Sequence, residues 1–222
     1  MTGILKSNIL SHRGYWKHDK EKNTILAVER AIQNGYGLEI DIRDYCGELI
    51  ISHDVPKTKE VFYFDKFLKI IKKNGKPIRT ALNIKSDGLQ SLLTRALPSI
   101  KESNSNFYVF DMSFPETFRF YNANFSLYTR VSEYENNTEI LRMGCGVWVD
   151  NFSGDFNQIE ISLKFIKQKK RVAFVSPELH GRDHLPVWHI LKESGLHKYK
   201  NFEICTDYPA DCEKFFLEKR ND

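Results

Sequence analysis

No stretch of this chain stays apolar for the roughly 20 residues that a membrane helix needs, and none near the N-terminus has the length of a secretory leader. A cytoplasmic protein without an integral membrane segment is therefore expected. Cysteine is sparse, 4 in 222 residues, and Cys46, Cys145, Cys205 and Cys212 never fall in a CxxC pair. That excludes the common zinc and thiol-redox motifs, and the four are expected to be reduced thiols. Cys145 and Cys205 lie in apolar runs and read as small core residues. Charge of one sign is also missing. The net charge is only +4 and is scattered, which gives no electrostatic footprint for nucleic acid. The one dense basic run, 167–171, reads as the solvated end of a helix, where cations complement the dipole. Low-complexity segments, linkers and internal repeats are absent, so one domain over 1–222 is expected.

What is present is an ordinary globular composition, 41% hydrophobic and 28% charged, long enough for a real core. Short apolar runs at 8–10, 37–42, 80–84, 107–110, 126–129, 146–149, 171–175 and 202–205 read as strands. Amphipathic spacing predicts helices over 24–34, 64–72, 89–97, 115–121, 133–141, 158–167, 185–194 and 210–219. Alternating strands and helices imply parallel pairing. Eight such units imply a (β/α)8 TIM barrel, with an open doubly wound sheet as the structural alternative. A turn at Gly47 suggests that the second strand runs on into a hairpin whose return arm carries His53 back toward the strand ends.

Barrels of this kind place their active sites at the C-terminal ends of the strands. Here those ends are dense in ionisable groups: His12-Arg13, Asn83 and Lys85, Asp111, Arg130, Asp150-Asn151, the stretch Ser176 through His180, and Thr206-Asp207. Glu39 and Asp41 alternate along one strand and so face the same side, where two carboxylates repel unless a cation lies between them. A divalent metal such as Mg²⁺ or Ca²⁺ suits such hard oxygens. His12 and His53 titrate near neutrality and suit proton transfer, and Arg13 and Lys85 suit a phosphate. Each has a plainer rival. The rivals are a core histidine for His12, strand-edge charges for Glu39 and Asp41, a polar turn for His53-Asp54 and a solvated strand end for Lys85, and in each case the functional reading is the stronger.

The pieces His12-Arg13-Gly14, Lys22-Asn23-Thr24, Glu39-Ile40-Asp41, His53-Asp54 and Leu82-Asn83-Ile84-Lys85, in that order, resemble the glycerophosphodiester phosphodiesterase family of phospholipase C-like phosphodiesterases. The likeness is strong over 8–88 and fainter beyond. It implies a metal-assisted phosphodiester hydrolase with His12 and His53 as acid and base, and a metal held by Glu39, Asp41 and the residue at position 83. It also implies a small-molecule, glycan- or lipid-derived diester substrate and a place in lipid metabolism. Glu178 and His180 are further candidates for the substrate or metal shell, and Trp148 either fills the core or meets a sugar or glycerol at the mouth.

Two departures matter. Asn83 stands where the family has a glutamate, which removes one negative charge from the metal set. The interval from His53 to Asn83 is too short for the small subdomain that many members insert there, which suggests a more open site. Lys22 replaces a further family glutamate. Two other readings stay open: a lyase-type phospholipase that forms a cyclic phosphate, and a phosphate-ligand-binding barrel that has lost turnover. Nothing marks an oligomer interface.

Overall fold

Alternation along eight strands builds this fold, one face of each strand turned to its neighbours across a barrel and the other to a surrounding layer of helices. The computed structural model describes residues 4–102 and 106–217. In chain order the elements are β1 (Ile9–His12), α1 (Ile25–Asn34), β2 (Gly37–Tyr45), β3 (Glu48–Ile51), β4 (Phe62–Tyr63), α2 (Phe64–Asn74), β5 (Arg79–Ile84), α3 (Gln90–Glu102), β6 (Asn106–Phe110), α4 (Phe114–Asn122), β7 (Tyr128–Val131), α5 (Thr138–Met143), β8 (Gly146–Val149), α6 (Gln158–Lys167), β9 (Arg171–Val175), α7 (Leu185–Ser194), β10 (Phe202–Thr206) and α8 (Pro209–Leu217). The last two positions of the helix expected over 210–219 lie outside the described residues.

β1 pairs in parallel with both β2 and β10, and the run continues through β9 and β8 to β7. On the other side β2 pairs with β5, and β5 with β6. A parallel bridge from Val109 to Leu127 joins β6 to β7 and closes the ring. The fold is thus the TIM barrel, and the open-sheet alternative falls. β3 and β4 add an antiparallel extension to β2. The hairpin turns at Cys46 and Gly47, both at positive φ (50° and 82°), the geometry that matches the twist of the flanking strands.

Outward residues such as Leu38, Ile40, Leu82, Val109, Val147 and Phe174 pack against the helices. Inward ones, including Leu10, Ala81, Tyr108, Phe110, Trp148 and Cys205, fill the barrel. The barrel is a packed core, not a pore. At its N-terminal end, buried Glu203 is held by Arg79 Nε at 2.8 Å and by Arg171 Nη2 at 2.6 Å, and Tyr108 donates to it at 3.1 Å.

Three expectations need correction. The helix predicted over 133–141 is only Thr138–Met143, because Ser132 Oγ accepts from the amides of Tyr134 and Glu135, at 3.1 Å each, and makes a turn. Asn137 then caps the helix through the amides of Glu139 and Ile140. The basic run 167–171 is not wholly solvated. Lys170 donates to the carbonyls of Leu141 and Gly144, and Arg171 turns into the barrel. Cys145 is exposed just before β8, whereas Cys205 is buried as expected. Among the described residues no helix is long and apolar enough to cross a membrane.

Candidate active site

β1 ends at His12, and the chain then leaves the barrel through a left-handed step at Arg13 (φ 58°) and Gly14 (φ 84°). A side chain at Gly14 would put its Cβ 2.8 Å from Ala27 Cβ and 2.9 Å from the Ala27 backbone, so only glycine lets this loop lie against α1. The step turns the Arg13 amide inward, where it donates to Glu39 Oε2 at 3.0 Å. Asn23, also left-handed, clasps Asp41: its side-chain amide donates to Asp41 Oδ2 at 2.7 Å and its oxygen accepts from the Asp41 amide at 3.3 Å. Thr24 next to it caps α1. Lys22, standing where the family glutamate would be, pairs with Asp19 at 2.9 Å and lies over the Trp16 ring.

The strand register sets the rest. His12 lies opposite Glu39, and Asp41 opposite Asn83. A cavity of about 270 Å³ opens at this end of the barrel. Of the residues expected at the site, His12, Arg13, Glu39, His53, Asn83 and Lys85 line it, as do Trp148 and His180. Asp41 is fully buried and meets the Arg13 guanidinium (Nε to Oδ2 3.0 Å) and Lys85 (Nζ to Oδ1 3.5 Å). Trp148 settles between its two readings: it is buried, stacked on Phe110 with centroids 3.8 Å apart, and part of the cavity wall.

The histidines are held differently. His12 donates from Nδ1 to Asp207 Oδ1 at 2.7 Å, which leaves Nε2 toward Glu39 Oε2 at 3.9 Å. Its side chain is 15% exposed, against 43% for His53. Among the described residues the His53 side chain pairs with its neighbour alone, Nδ1 to Asp54 Oδ1 at 2.8 Å. That contact lowers the Asp54 pKa, first through the hydrogen bond and then through charge. Arg43 donates to the carbonyls of His53 (3.2 Å) and Lys85 (2.9 Å) and so ties the hairpin to β5.

Glu178 is not in the cavity wall. It accepts from the Thr206 hydroxyl and from the Asp207 amide at 3.1 Å, and thereby fixes the residue that orients His12. His180 bonds through Nε2 to Asp150 Oδ1 at 2.7 Å and packs on Phe152. Asp111 pairs with Lys85 at 3.2 Å and with Arg130. Arg130 also lies near Asp150 (3.7 Å) and Glu135 (3.5 Å). Asp207 has no role in the sequence reading; its only signal is a polar residue at the end of a strand.

Burial raises the Glu39 pKa, and the charge of Asp41 adds to this, opposed by His12 and by the amide of Asn83. Asn83 Nδ2 donates to Glu39 Oε1 at 3.0 Å. The buried oxygens Asp41 Oδ1 and Asn83 Oδ1 have no hydrogen-bond partner. Among the described residues no three acid, histidine or cysteine side chains gather as a metal cage. The set on offer is two carboxylates and one amide oxygen. Asn83 Oδ1 without a partner, and Asp41 Oδ1 met only by the Lys85 ammonium at 3.5 Å, beside a carboxylate with a raised pKa, are hard oxygens of the kind that Mg²⁺ or Ca²⁺ takes.

Fold and site together define a class: a closed α/β barrel whose mouth combines a carboxylate-oriented histidine, paired carboxylates and three cationic side chains. The solved structures of this shape include phosphodiesterases. The chain is similar to a glycerophosphodiester phosphodiesterase from Parabacteroides distasonis, 17% identical, over 97% of this chain and 98% of that one, with a TM-score of 0.69. It is similar to a glycerophosphodiester phosphodiesterase from Thermotoga maritima at 15% identity, over 93% and 97%, with a TM-score of 0.66. A phosphodiesterase from Oleispira antarctica, solved with the product sn-glycerol-3-phosphate, matches at 13% identity over 97% and 98%, with a TM-score of 0.65. At these identities the likeness is one of fold. No protein-family model and no curated protein matches the chain.

Proposed function

We propose that this protein is a phosphodiester hydrolase acting on a glycerophosphodiester-like or sugar-phosphodiester substrate. The observation that carries the reading is His12, held by Asp207 with Nε2 left toward a cavity whose wall also bears Arg13, Lys85 and Arg130. Such a histidine suits proton transfer, and the three cations suit the charge on the non-bridging phosphate oxygens. Solved structures of this fold include a glycerophosphodiester phosphodiesterase and a phosphodiesterase holding sn-glycerol-3-phosphate, which supports the same class of substrate. His53, on the hairpin that Arg43 anchors, is the second proton carrier. Glu39, Asp41 and Asn83 would hold a divalent metal, which would polarise a phosphoryl oxygen when bound.

The test is hydrolysis of bis(p-nitrophenyl) phosphate and of glycerophosphodiesters, with chelator and then with Mg²⁺, Ca²⁺ or Mn²⁺ restored. Activity that chelator removes and metal restores supports the whole reading. Activity indifferent to chelator keeps the hydrolase and discards the metal. No hydrolysis under any metal discards both. The metal set has its own check in Asn83→Glu. That change removes a donor from Glu39 and puts a third carboxylate beside Glu39 and Asp41, so the metal-free protein should melt several degrees lower. Metal should then restore more than the loss, with affinity raised about tenfold or more. Unchanged metal affinity by titration calorimetry would remove Asn83 from the set.

A further inference from the structure

His180 is a second histidine of the cavity wall that a carboxylate holds, and the acid–base pair proposed above does not use it. It ends a short 3₁₀ turn after β9, Pro177–His180, which Gly181 closes at φ 70°. Glu178 pins this turn to β10 through the Thr206 hydroxyl and the Asp207 amide, so one carboxylate fixes both the partner of His12 and the turn that carries His180. Nε2 of His180 meets Asp150 Oδ1 at 2.7 Å. Asp150 follows β8 and is buried; the same oxygen accepts from the Asn151 amide at 2.9 Å, and the other faces Arg130 Nε at 3.7 Å. An ionised carboxylate only accepts, so Nε2 carries the hydrogen and Nδ1 keeps its lone pair. Among the described residues no hydrogen bond occupies that nitrogen. The ring is 23% exposed and stands against Phe152 in the cavity wall.

Ring order gives His180 its side of the mouth. The barrel strands follow one another as β1, β2, β5, β6, β7, β8, β9 and β10, so β8 and β9 stand opposite β2 and β5. Arg43 on β2 ties the His53 carbonyl to that of Lys85 just beyond β5, which places His53 over those two strands. His180 therefore faces His53 across the mouth. His12, on β1 next to β2, lies nearer to His53. Displacement at phosphorus brings the nucleophile in opposite the leaving oxygen, so the two proton exchanges fall on opposite sides. We propose that His180 is the base for the attacking water. The inference rests on the hydrolase reading above. As the bond from the water oxygen to phosphorus forms, a water proton passes to Nδ1, and Asp150 balances the charge of the imidazolium. The bond from phosphorus to the alcohol oxygen breaks on the far side, and the alcohol takes its proton from the pair that stands there, His12 and His53. His180 then returns its proton to solvent, and the pair takes one up.

The test measures kcat and KM on bis(p-nitrophenyl) phosphate and on glycerophosphoethanolamine for the wild type, His180→Gln and His180→Ala. Glutamine keeps the volume and a bond to Asp150 but cannot take a proton, and that variant should melt near the wild type. A positioned base contributes about 10²–10⁴ to a rate, so both variants should lose kcat about a hundredfold on both diesters, with KM moved less than about threefold. The loss is common to both because water attacks in both, whereas p-nitrophenolate departs without a proton. Added imidazole should restore His180→Ala by about tenfold and leave His180→Gln, whose side chain fills the place, as it was. A kcat for either variant within about fivefold of wild type, a loss confined to the glycerol diester, or an alanine variant that imidazole does not restore would overturn the base and leave the hydrolase intact. A wild type that cleaves neither diester with any metal would overturn the hydrolase reading and the base with it.

Discussion

Asp207 is the residue on which the proposed chemistry turns most directly. Its carboxylate fixes the tautomer of His12, and it is in turn fixed by Glu178 through its own amide. Asp207→Asn keeps the shape and exchanges an acceptor for an amide that can present either role. Positioned acid–base groups contribute about 10²–10⁴ to a rate, so kcat should fall about a hundredfold or more while KM moves less than about threefold. A melting temperature near wild type would separate this from damage to the fold. A kcat within about fivefold of wild type would show that His12 does not need the partner. A different residue governs pH. His197, in the short turn Leu196–Lys198, is 4% exposed and packs on Phe216. Burial, with the charge of Lys198 adding, pushes its pKa below the usual value of 6.5. The unfolded chain then takes up a proton that the folded one resists, so the stability tied to His197 is whole above about pH 6.5 and is lost as pH falls below it. His197→Leu should give a shallower fall in melting temperature between pH 7.5 and 5.5. Parallel curves for the two proteins would show that the group does not titrate on unfolding.

At the scale of elements, the loop after β1 sets the position of the Arg13 amide and of the chain leaving His12. Gly14→Ala combines positive φ with contacts under 3 Å to the Ala27 side chain and backbone. It should destabilise by about 2–4 kcal/mol, as strain and steric overlap together do. Activity should fall further than stability requires, because the Arg13 amide loses its bond to Glu39. Urea midpoints and kcat measured on the same preparations check both parts, and a variant as active and as stable as wild type would refute the loop's role. This loop was legible in the sequence through the His-Arg-Gly motif, and so was the strand that carries Glu39 and Asp41, because the period of two is strict there, while the apolar run 80–84 marked the strand that ends just before Lys85. The hairpin was legible from Gly47. What was not legible has a common cause. Asp207 meets Glu178 across β9 and β10 and His12 across β10 and β1, so each partnership depends on register between strands that only folding brings together. The start of α5 was misplaced because local bonding by Ser132 and Asn137 overrode an apolar spacing that extended further back.

On the scale of the whole molecule the barrel is polar at both ends and apolar between them, and the two ends differ in purpose. The mouth gathers charges with unpartnered oxygens; the opposite end buries Glu203 completely between Arg79 and Arg171, under the stacked rings of Tyr108 and Tyr128. Burial, more than the rings' neighbours, pushes both tyrosine pKa values up, so these phenols stay neutral; Tyr108 donates to Glu203, and Tyr128 accepts from Arg79 and Arg171. A buried ion network of this kind is costly to break from one side, because the remaining charges lose their partner in a poorly solvated place. Glu203→Leu should therefore cost about 3–5 kcal/mol, less the part that the half-exposed Arg171 regains from water. Replacing all three, Arg79→Met, Arg171→Met and Glu203→Leu together, should cost less than Glu203→Leu alone, because no orphaned charge is left behind. Since the network lies at the end away from His12, kcat of the folded fraction should match wild type in both. Denaturant unfolding and activity under native conditions give the two readouts. A triple variant less stable than the single one would mean that the ions contribute net stability here. A change in kcat would mean that the two ends of the barrel are coupled through its packed interior.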